Sequence, residues 1–357
     1  MALYDALEDL PLTVDDVRYA RRARDTSSGF ERVTTVIRLE GPDGAVGRGE
    51  DVTYEAADHD ALHDADPDFG LPGEWTHAEL STLLGDTDLF HGRPPDRGDF
   101  RDYRRWGFES AALDLALRQA DTDLATALDR SYAPVRFVAS TRLGEPPRFD
   151  RVTALVDRAP DVELKLDPTS DWTDDLVERL AATGRVRILD LKGHYEGTVV
   201  DQDVDPALYE TVFERFPDAV VEDPAWTDAT EPLLRKHADR LSWDAPIHGV
   251  DDVEGLPVEP RWCNVKPSRF GSVRSLLATV EHCDAHGIAM YGGGQFELDV
   301  GREHLWALAS LFYPESPNDV APGPYNEPEP PASLPASPLR PPETPSGFAW
   351  PSPDLSG

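Results

Sequence analysis

The stretch from residue 162 to residue 266 constrains the fold most, because five short apolar runs within it each end on a charged residue. These residues are, in chain order, Lys165, Asp190, Glu222, Asp244 and Lys266. Segments with a helical pattern, such as Asp174 to Ala182, lie between the runs. Alternation of strands and helices is typical of a parallel sheet built from βαβ units. A charge at the carboxyl end of a buried strand indicates an active site, because in closed α/β barrels that end carries the chemistry.

The spacing of the apolar runs predicts a barrel over residues 134–322. Strands are expected to start near residues 135, 162, 185, 218, 240, 261 and 287, which leaves room for one helix after each strand. A short eighth strand is expected near Asn318-Asp319-Val320. The predicted fold class is therefore α/β, a modified TIM barrel of the (β/α)7β type.

Segments with other patterns precede and follow this barrel. Residues 1–133 are expected to form an α+β domain, because Arg32 to Glu40 alternates apolar and polar residues and Trp106 to Arg118 has one apolar helical face. The loop from Arg24 to Phe30 is polar and contains glycine, so we expect it to be mobile. Residues 323–357 form a Pro-rich tail that cannot build a core, and we expect it to lie extended on the surface or to be disordered.

Acidic residues outnumber basic residues along the whole chain, 68 against 34, and the formal net charge is −34. Such self-repulsion is typical of halophile-like proteins, since charges are screened within about 3 Å at 1 M salt. It also argues against nucleic acid or an anionic membrane surface as a partner. No targeting segment and no long apolar run are visible, so we expect a soluble, cytoplasmic protein. The two cysteines lack metal-ligand spacing.

Lysine is rare in this chain, and its positions are informative. Only four of the 34 basic residues are lysines. Three of the four, Lys165, Lys192 and Lys266, lie at or just past predicted strand ends. Lysine can lose its proton near neutral pH in suitable surroundings, whereas arginine cannot. The pattern therefore favours a chemical role for these lysines.

Asp190, Glu222 and Asp244 end three consecutive predicted strands, so we expect their carboxylates to meet at one rim of the barrel. Close carboxylates repel one another, and a divalent cation relieves this repulsion. An all-oxygen site favours Mg²⁺, with Mn²⁺ as a substitute. Lys165 and Lys266 flank the carboxylates, where each could remove or return a proton on one face of a bound carboxylate substrate.

The ordered strand ends resemble those of the enolase superfamily, in its branch of muconate-lactonizing enzymes and o-succinylbenzoate synthases. The resemblance rests on the run WGFESAALDLALR before the first strand and on the motifs ELKLD, VVEDP and NVKPSRFGS. It implies an N-terminal capping domain over the barrel and an enediolate intermediate stabilised by Mg²⁺. It implies that Asp190, Glu222 and Asp244 are the metal ligands. It further implies that Lys165 and Lys266 are the bases from the second and sixth strands.

Two strand ends depart from the pattern of this family. The family usually carries Lys-x-Lys on the second strand, whereas this chain has Glu163-Leu164-Lys165-Leu166-Asp167. If Lys165 is the second lysine of the motif, Glu163 replaces the first, and its carboxylate would raise the pKa of Lys165. If Lys165 is the first, Asp167 takes the position of the base; we favour the first alignment. On the third strand Lys192 stands where Asn is common, and we hypothesise that Lys192 restores the positive charge that Glu163 removes.

Residues around the predicted seventh strand end are candidates for the substrate pocket or for contacts behind the catalytic groups. Tyr291, Gln295 and Glu297 surround the run Gly292-Gly293-Gly294. The run lacks the Gly-x-Gly-x-x-Gly pattern of a phosphate-binding loop, so we expect a tight loop.

Together these residues predict a Mg²⁺-dependent lyase or isomerase that abstracts a proton α to the carboxylate of a small substrate. Epimerisation, cycloisomerisation and elimination of water all stay open, because they share this step, and homo-oligomerisation stays open as well. An enolase-like binding protein without turnover is an alternative, supported by the altered second strand. A phosphate-binding barrel with a Schiff-base lysine is a further alternative, but it leaves the three carboxylates without a role.

Overall fold

The computed structural model describes residues 2–348 and 350, apart from residues 196, 198 and 199. The strands of the N-terminal part are β1 Pro11–Val14, β2 Asp16–Asp25, β3 Glu31–Glu40, β4 Val46–Asp51 and β5 Gly73–Thr76. β2, β3 and β4 form one antiparallel sheet in that order, and β1 pairs with β5. The helices that accompany them are α1 Ala56–Ala65, α2 His77–Asp86 and α3 Phe100–Gln119.

β2 and β3 form a long antiparallel hairpin. The expected strand from Arg32 to Glu40 is confirmed as part of β3. β2 was not predicted, although it pairs with β3 in continuous register from Asp16 to Asp25. Because β2 is mostly exposed, it lacks the alternation of apolar side chains on which the prediction depended. The predicted mobile loop is reduced to a turn, in which the N–H of Thr26 donates to the carbonyl of Phe30.

The barrel is built on parallel strands that follow chain order around the sheet. They are β6 Val138–Thr141, β7 Glu163–Leu166, β8 Val186–Asp190, β9 Val220–Glu222, β10 Leu241–Trp243, β11 Trp262–Val265 and β12 Ala289–Gly292. Asn318 bridges Phe137 next to β6, and Asp319 bridges Gly293 next to β12, so this segment closes the ring. The predicted fold class, an α/β barrel of the (β/α)7β type with an N-terminal α+β capping domain, is confirmed. Among the described residues, the expected eighth strand is represented by the isolated bridges of Asn318 and Asp319.

Helices follow the barrel strands and cover their outer faces. A short helix, α4 Leu124–Ala127, precedes the barrel. The barrel helices are α5 Asp150–Arg158, α6 Asp174–Ala182, α7 Pro206–Arg215, α8 Glu231–Lys236, α9 Val250–Glu254, α10 Val273–Ala285 and α11 Val300–Phe312. The predicted helix from Asp174 to Ala182 coincides with α6. Thr173 caps α6, and Asp205 caps α7 with Pro206 in its first turn. Within the described ranges, each helix is too short or too polar to cross a lipid bilayer.

An apolar layer fills the interior of the barrel below the strand ends. Its buried side chains are Val138, Ile188, Val220 and Tyr291. Asp190 lies two residues beyond Ile188 on β8, so it points into the same interior one layer higher. On β9, Glu222 lies two residues beyond Val220 and therefore reaches the same layer as Asp190. The fold therefore positions charged side chains directly above a packed apolar floor.

The Pro-rich segment after Pro322 is extended, and it contributes apolar side chains to the core. The buried ones are Leu334, Leu339, Phe348 and Trp350. The ring of Phe348 stacks on His304 of α11 at 4.1 Å between centroids and meets Trp106 of α3 edge-on. The expectation that this segment adds nothing to a core is therefore wrong, because single apolar residues between prolines each fill a site formed by other elements. Residues 349 and 351–357 lie outside the described residues.

Glu50 of β4 joins the N-terminal sheet to the beginning of α11. Its side chain is buried. Oε1 accepts the N–H of Leu298 at 2.7 Å and the hydroxyl of Thr34 at 2.6 Å, and Oε2 accepts the N–H of Gly301 at 2.8 Å. Burial raises the pKa of Glu50, and these donors oppose the shift. Both oxygens thus serve as acceptors for N–H groups at a helix N-terminus, which lack partners within the helix.

Glu50→Gln is expected to lower the free energy of unfolding by about 1–3 kcal/mol, because the new –NH₂ group would face a backbone N–H and leave it without an acceptor. Urea unfolding followed by circular dichroism measures the change. Glu40→Gln, which removes a partly exposed ion pair with Arg18, is the matched control and should change the free energy by less than about 0.5 kcal/mol. An equal loss in both variants would contradict the role of Glu50.

Candidate active site

The five charged residues predicted at the strand ends lie together at the carboxyl end of the barrel strands. Asp190 and Glu222 are the last residues of β8 and β9 and lie opposite each other in register. Asp244 and Lys266 each follow a strand by one residue, and Lys165 lies within β7. All five side chains are buried, and the most exposed of them, Lys266, is only 8% exposed. The site is therefore largely withdrawn from water.

The two predicted base lysines contact different parts of the carboxylate group. Lys165 Nζ lies 2.5 Å from Glu222 Oε1 and 3.6 Å from Asp190 Oδ2. Lys266 Nζ lies 2.8 Å from Asp244 Oδ2. In the order of the sheet, these lysines come from the strands on either side of the three that carry the carboxylates. The two ammonium groups therefore flank the carboxylates from both sides.

A fourth carboxylate, Asp223, belongs to this group and was not predicted. One oxygen atom each from Asp190, Glu222 and Asp223 lies within 4.8 Å of the other two. Asp223 follows β9 with a left-handed backbone, φ +48°, which turns its side chain back towards the site. Its carboxylate accepts the N–H of Asp244 at 2.8 Å and that of Ala245 at 2.9 Å. Asp223 thus holds the backbone that carries Asp244.

Burial and mutual repulsion perturb these carboxyl groups in different directions. Burial, together with the nearby carboxylates, raises the pKa of Asp223 to about 7. Burial also raises the pKa of Glu222 well above its usual value, against the effect of Lys165. For Asp190 the effect of burial is outweighed by Lys192 and Lys165, which lower its pKa. Burial is thus the main cause of both raised pKa values, and the neighbouring carboxylates add to it.

Asp244 is contacted on one of its two oxygens. Oδ2 lies 2.8 Å from Lys266 Nζ, accepts the hydroxyl of Tyr195 at 3.0 Å and lies 3.3 Å from Arg269 Nη2. Within the described part of the chain, the buried Oδ1 has no hydrogen-bond partner. Although Asp244 is buried, Arg269 and Lys266 lower its pKa, so the carboxylate is ionised. A buried, ionised oxygen without a donor is a position where a cation fits.

The donor set fits a hard divalent cation. Asp190, Glu222, Asp223 and Asp244 all offer carboxylate oxygens, which are the ligands that Mg²⁺ and Mn²⁺ prefer. The predicted ligand set of Asp190, Glu222 and Asp244 stays a prediction. Asp223 is a further candidate ligand. Among the described residues, the group whose oxygens lie close enough to hold one ion is Asp190, Glu222 and Asp223, and it does not include Asp244.

Lys192 and Asp167 lie at the edge of the same site. Lys192 Nζ donates a hydrogen bond to Asp190 Oδ2 and lies 3.7 Å from Asp167 Oδ1. Asp167 also lies 3.3 Å from Arg142. Lys192 thus adds a third ammonium group to the site, next to a carboxylate predicted to bind the metal.

Glu163 lies apart from this site. Its carboxylate forms ion pairs with Arg136 and Arg187, each at 2.6 Å, so two guanidinium groups neutralise it. The hypothesis that Lys192 restores the positive charge that Glu163 removes stays a prediction; the structure places the ammonium group of Lys192, and not the carboxylate of Glu163, next to Asp190. The pKa of Lys165 is raised, as expected, but from another source: burial would lower it, and the site carboxylates raise it well above its usual value.

Tyr291, Gln295 and Glu297, the candidates around the seventh strand end, contact different parts of the molecule. Tyr291 is completely buried beneath the carboxylates, to one of which its hydroxyl donates, so of its two expected positions it has the one behind the site residues. Its side chain points into the barrel interior because it belongs to β12 itself. Gln295 accepts the hydroxyl of Tyr54 at 2.8 Å and donates to that of Tyr103 at 3.1 Å. These two contacts of Gln295 connect the loop to the N-terminal domain. Glu297 accepts the N–H of Gln295 at 2.7 Å, within the loop itself.

Sequence reasoning missed several residues of the site. Besides Asp223, those that contact a site carboxylate or Lys165 are Tyr195, Asn264, Arg269 and Asp319. Arg269 was visible in the motif NVKPSRFGS, and Asp319 lay within the predicted eighth strand. Asp223 was visible in VVEDP, but alternation along an ideal strand would point it to the outer face.

The chain matches two family models and, over part of its length, one characterised enzyme. A family model described as the N-terminal domain of DUF8230, a domain of unknown function, matches residues 5–127. The model of the C-terminal domain of DUF8230 matches residues 131–327. An o-succinylbenzoate synthase from Listeria innocua serovar 6a is 27% identical over 164 residues. That match spans 45% of this chain and 42% of the length of that enzyme.

Solved structures share the fold at low sequence identity. A member of the enolase superfamily from Listeria innocua gives a TM-score of 0.64 at 19% identity, over 87% of this chain and 86% of that chain. Muconate cycloisomerase from Pseudomonas fluorescens gives a TM-score of 0.63 at 18% identity, over 87% of each chain. These likenesses show a common fold.

Lys192→Met is expected to tighten Mn²⁺ binding by about tenfold, because the ammonium group next to Asp190 repels a cation and competes for the same carboxylate. A titration followed by electron paramagnetic resonance measures the affinity. Glu163→Gln is the control and should leave the affinity unchanged, because Glu163 is paired with arginines away from the site. Weaker binding in Lys192→Met would argue against a cation at Asp190.

Mg²⁺ is expected to raise the Tm of this protein more at pH 8 than at pH 5.5. The pKa of Asp223 is raised on folding from 3.8 to about 7. Its contribution to stability is therefore fully present below about pH 4 and is lost as the pH rises through 7. At pH 8 a cation would offset this loss, whereas at pH 5.5 it would compete with a proton. Differential scanning fluorimetry with and without MgCl₂, at matched ionic strength, measures the difference.

Glu222→Gln is the control for the general effect of a divalent cation on an acidic protein. The variant changes the net charge of −34 by only one, so screening is kept while one predicted ligand is lost. The pH-dependent part of the Mg²⁺ effect should therefore disappear. The same pH-dependent effect in both proteins would show that it does not come from this site.

Proposed function

This chain belongs to the DUF8230 family and has the fold of the enolase superfamily, and we propose that it is an enzyme that removes a proton from the carbon next to a carboxylate. The observation that carries the proposal is the position of two lysines on either side of a buried carboxylate group. Lys165 contacts Glu222 and Asp190, and Lys266 contacts Asp244. The partial likeness to an o-succinylbenzoate synthase supports the same class of reaction.

The carboxylate group would hold Mg²⁺, with Mn²⁺ as a substitute. When bound, the cation supplies positive charge that stabilises an enediolate and disfavours the protonated form of the neighbouring lysines. We propose Asp190, Glu222 and Asp244 as the ligands. Asp223 holds the third of them in position through the backbone N–H groups of Asp244 and Ala245.

Lys165 and Lys266 are proposed as the acid–base pair. Both are buried beside the carboxylate group, where each could exchange a proton with the α-carbon of a bound substrate. One lysine would take the proton from the α-carbon. The other would return a proton on the opposite face or assist the departure of a leaving group, because the two flank the carboxylates from both sides.

We propose a small carboxylate as the substrate and an isomerase or lyase as the enzyme class. Epimerisation, cycloisomerisation and loss of water share the same first step, in which the proton leaves the α-carbon. The likenesses are to a cycloisomerase and to a synthase of o-succinylbenzoate, which represent two of these outcomes.

A second candidate, an enolase-like binding protein without turnover, is favoured by the contacts of Lys165. Its ammonium group lies within 3.6 Å of three carboxylates, those of Glu222, Asp319 and Asp190. These contacts stabilise the protonated form, and a lysine that keeps its proton cannot act as a base. Turnover therefore requires that these contacts change when the cation and the substrate bind.

Exchange of α-protons in D₂O tests the proposal. The protein is incubated with Mg²⁺ and a panel of small carboxylates that carry an α-hydrogen, o-succinylbenzoate among them, and NMR follows the loss of the α-proton signal. We expect exchange in the wild type and a loss of at least about 100-fold in Lys165→Ala and in Lys266→Ala. Lys236→Ala, which removes the exposed lysine of α8, is the matched control and should keep the wild-type rate.

The outcomes separate the two candidates. Exchange that persists in both Lys165→Ala and Lys266→Ala would remove the acid–base pair from the proposal. Saturable Mn²⁺ binding without exchange on any carboxylate of the panel would favour the binding protein. If the wild type shows no saturable Mn²⁺ site, the metal site itself does not exist.

A further inference from the structure

The buried Tyr291 contacts Glu222 from below and is therefore in a position to control how that carboxylate meets a cation. Its ring belongs to the apolar layer of the barrel interior, together with Val138, Ile188 and Val220. The side chain is completely buried, so its position is set by packing on all sides. The hydroxyl is the polar tip of this layer, and it donates to Glu222.

The two oxygens of Glu222 have different partners. Oε1 lies 2.5 Å from Lys165 Nζ. Oε2 accepts the hydroxyl of Tyr291 and, at 3.4 Å, an N–H of the Asn264 side chain. A carboxylate oxygen offers two lone pairs in its plane, so these two donors together occupy Oε2. Oε1 is therefore the oxygen that is left for Lys165 or for a cation.

Ser242 sets the direction of the Tyr291 hydroxyl. Ser242 Oγ lies 2.9 Å from the hydroxyl oxygen of Tyr291. Because the Tyr291 hydroxyl donates its single hydrogen to Glu222, it accepts from Ser242. Ser242 lies on β10 opposite Glu222 in register, so the donor, the tyrosine and the carboxylate are fixed by the same pair of strands and by β12.

We propose that Tyr291 is a positioning residue that fixes the orientation of the Glu222 carboxylate, so that Oε1 would be the oxygen offered to a cation. The inference rests on the proposed function, because it needs a cation at the carboxylate group. Without the hydroxyl, Oε2 would keep only the longer contact with Asn264, and the carboxylate could rotate within the site. Hydrogen-bond partners of metal ligands typically contribute a factor of about 10–100 to metal affinity.

Tyr291→Phe removes only the hydroxyl and tests this inference in the full chain. We expect the affinity for Mn²⁺, measured by electron paramagnetic resonance, to fall by about tenfold. The line shape of the bound ion should also change, because Oε2 becomes available to it. Tyr313→Phe is the matched control, since Tyr313 is also a buried tyrosine and packs against Gly292 at the end of β12. The control should keep both the affinity and the line shape.

Each outcome decides the inference. Wild-type affinity and line shape in Tyr291→Phe would overturn it and leave the proposed function standing. An equal loss in Tyr313→Phe would overturn it as well, because the effect would then come from packing. A wild type without a saturable Mn²⁺ site would overturn both proposals.

Ser242→Ala decides the question should Tyr291→Phe not fold. This variant removes the donor that directs the Tyr291 hydroxyl, and we expect Mn²⁺ affinity to fall by about threefold. Unchanged affinity would overturn the inference.

Discussion

Repulsion between buried carboxylates is the constraint on which the rest of the site depends. Four carboxylates meet there, those of Asp190, Glu222, Asp223 and Asp244, and all are buried. Charges of one sign can share so small a buried volume only if opposite charges lie between or around them. The three lysines at the strand ends and Arg269 supply part of that positive charge. Within the described part of the chain, one oxygen of Asp244 lacks a donor, and a cation could supply further positive charge there.

Much of the fold could be predicted from the sequence because it depends on local patterns. Alternation of apolar runs and helical segments predicted the barrel, and strand ends of a parallel sheet necessarily meet at one rim. The alternation of side chains along a strand does not predict how far along the barrel axis an inward-pointing side chain lies. Glu163 and Tyr291 both point inwards, yet neither reaches the rim, so one pairs with arginines and the other supports a carboxylate from below. The position of the Asp223 side chain depends on the left-handed backbone of this residue after β9, which no repeating sequence pattern predicts.

The segment that follows β12 is where the N-terminal domain and the barrel meet. Gln295 is bound by Tyr54 and Tyr103, and the backbone from Leu298 to Gly301 is bound by Glu50. β12 also carries Tyr291, which supports a carboxylate of the site. A change in the N-terminal sheet would therefore act next to the strand that holds this carboxylate in place.

The distribution of lysine also determines how the surface reacts with chemical reagents. Lys165 and Lys266 are buried, Lys192 is half-buried against Asp190, and Lys236 on α8 is exposed. The other basic side chains with a permanent charge are arginines, whose guanidinium groups acylating reagents do not modify. Among the lysine side chains, such a reagent would therefore meet Lys236 first.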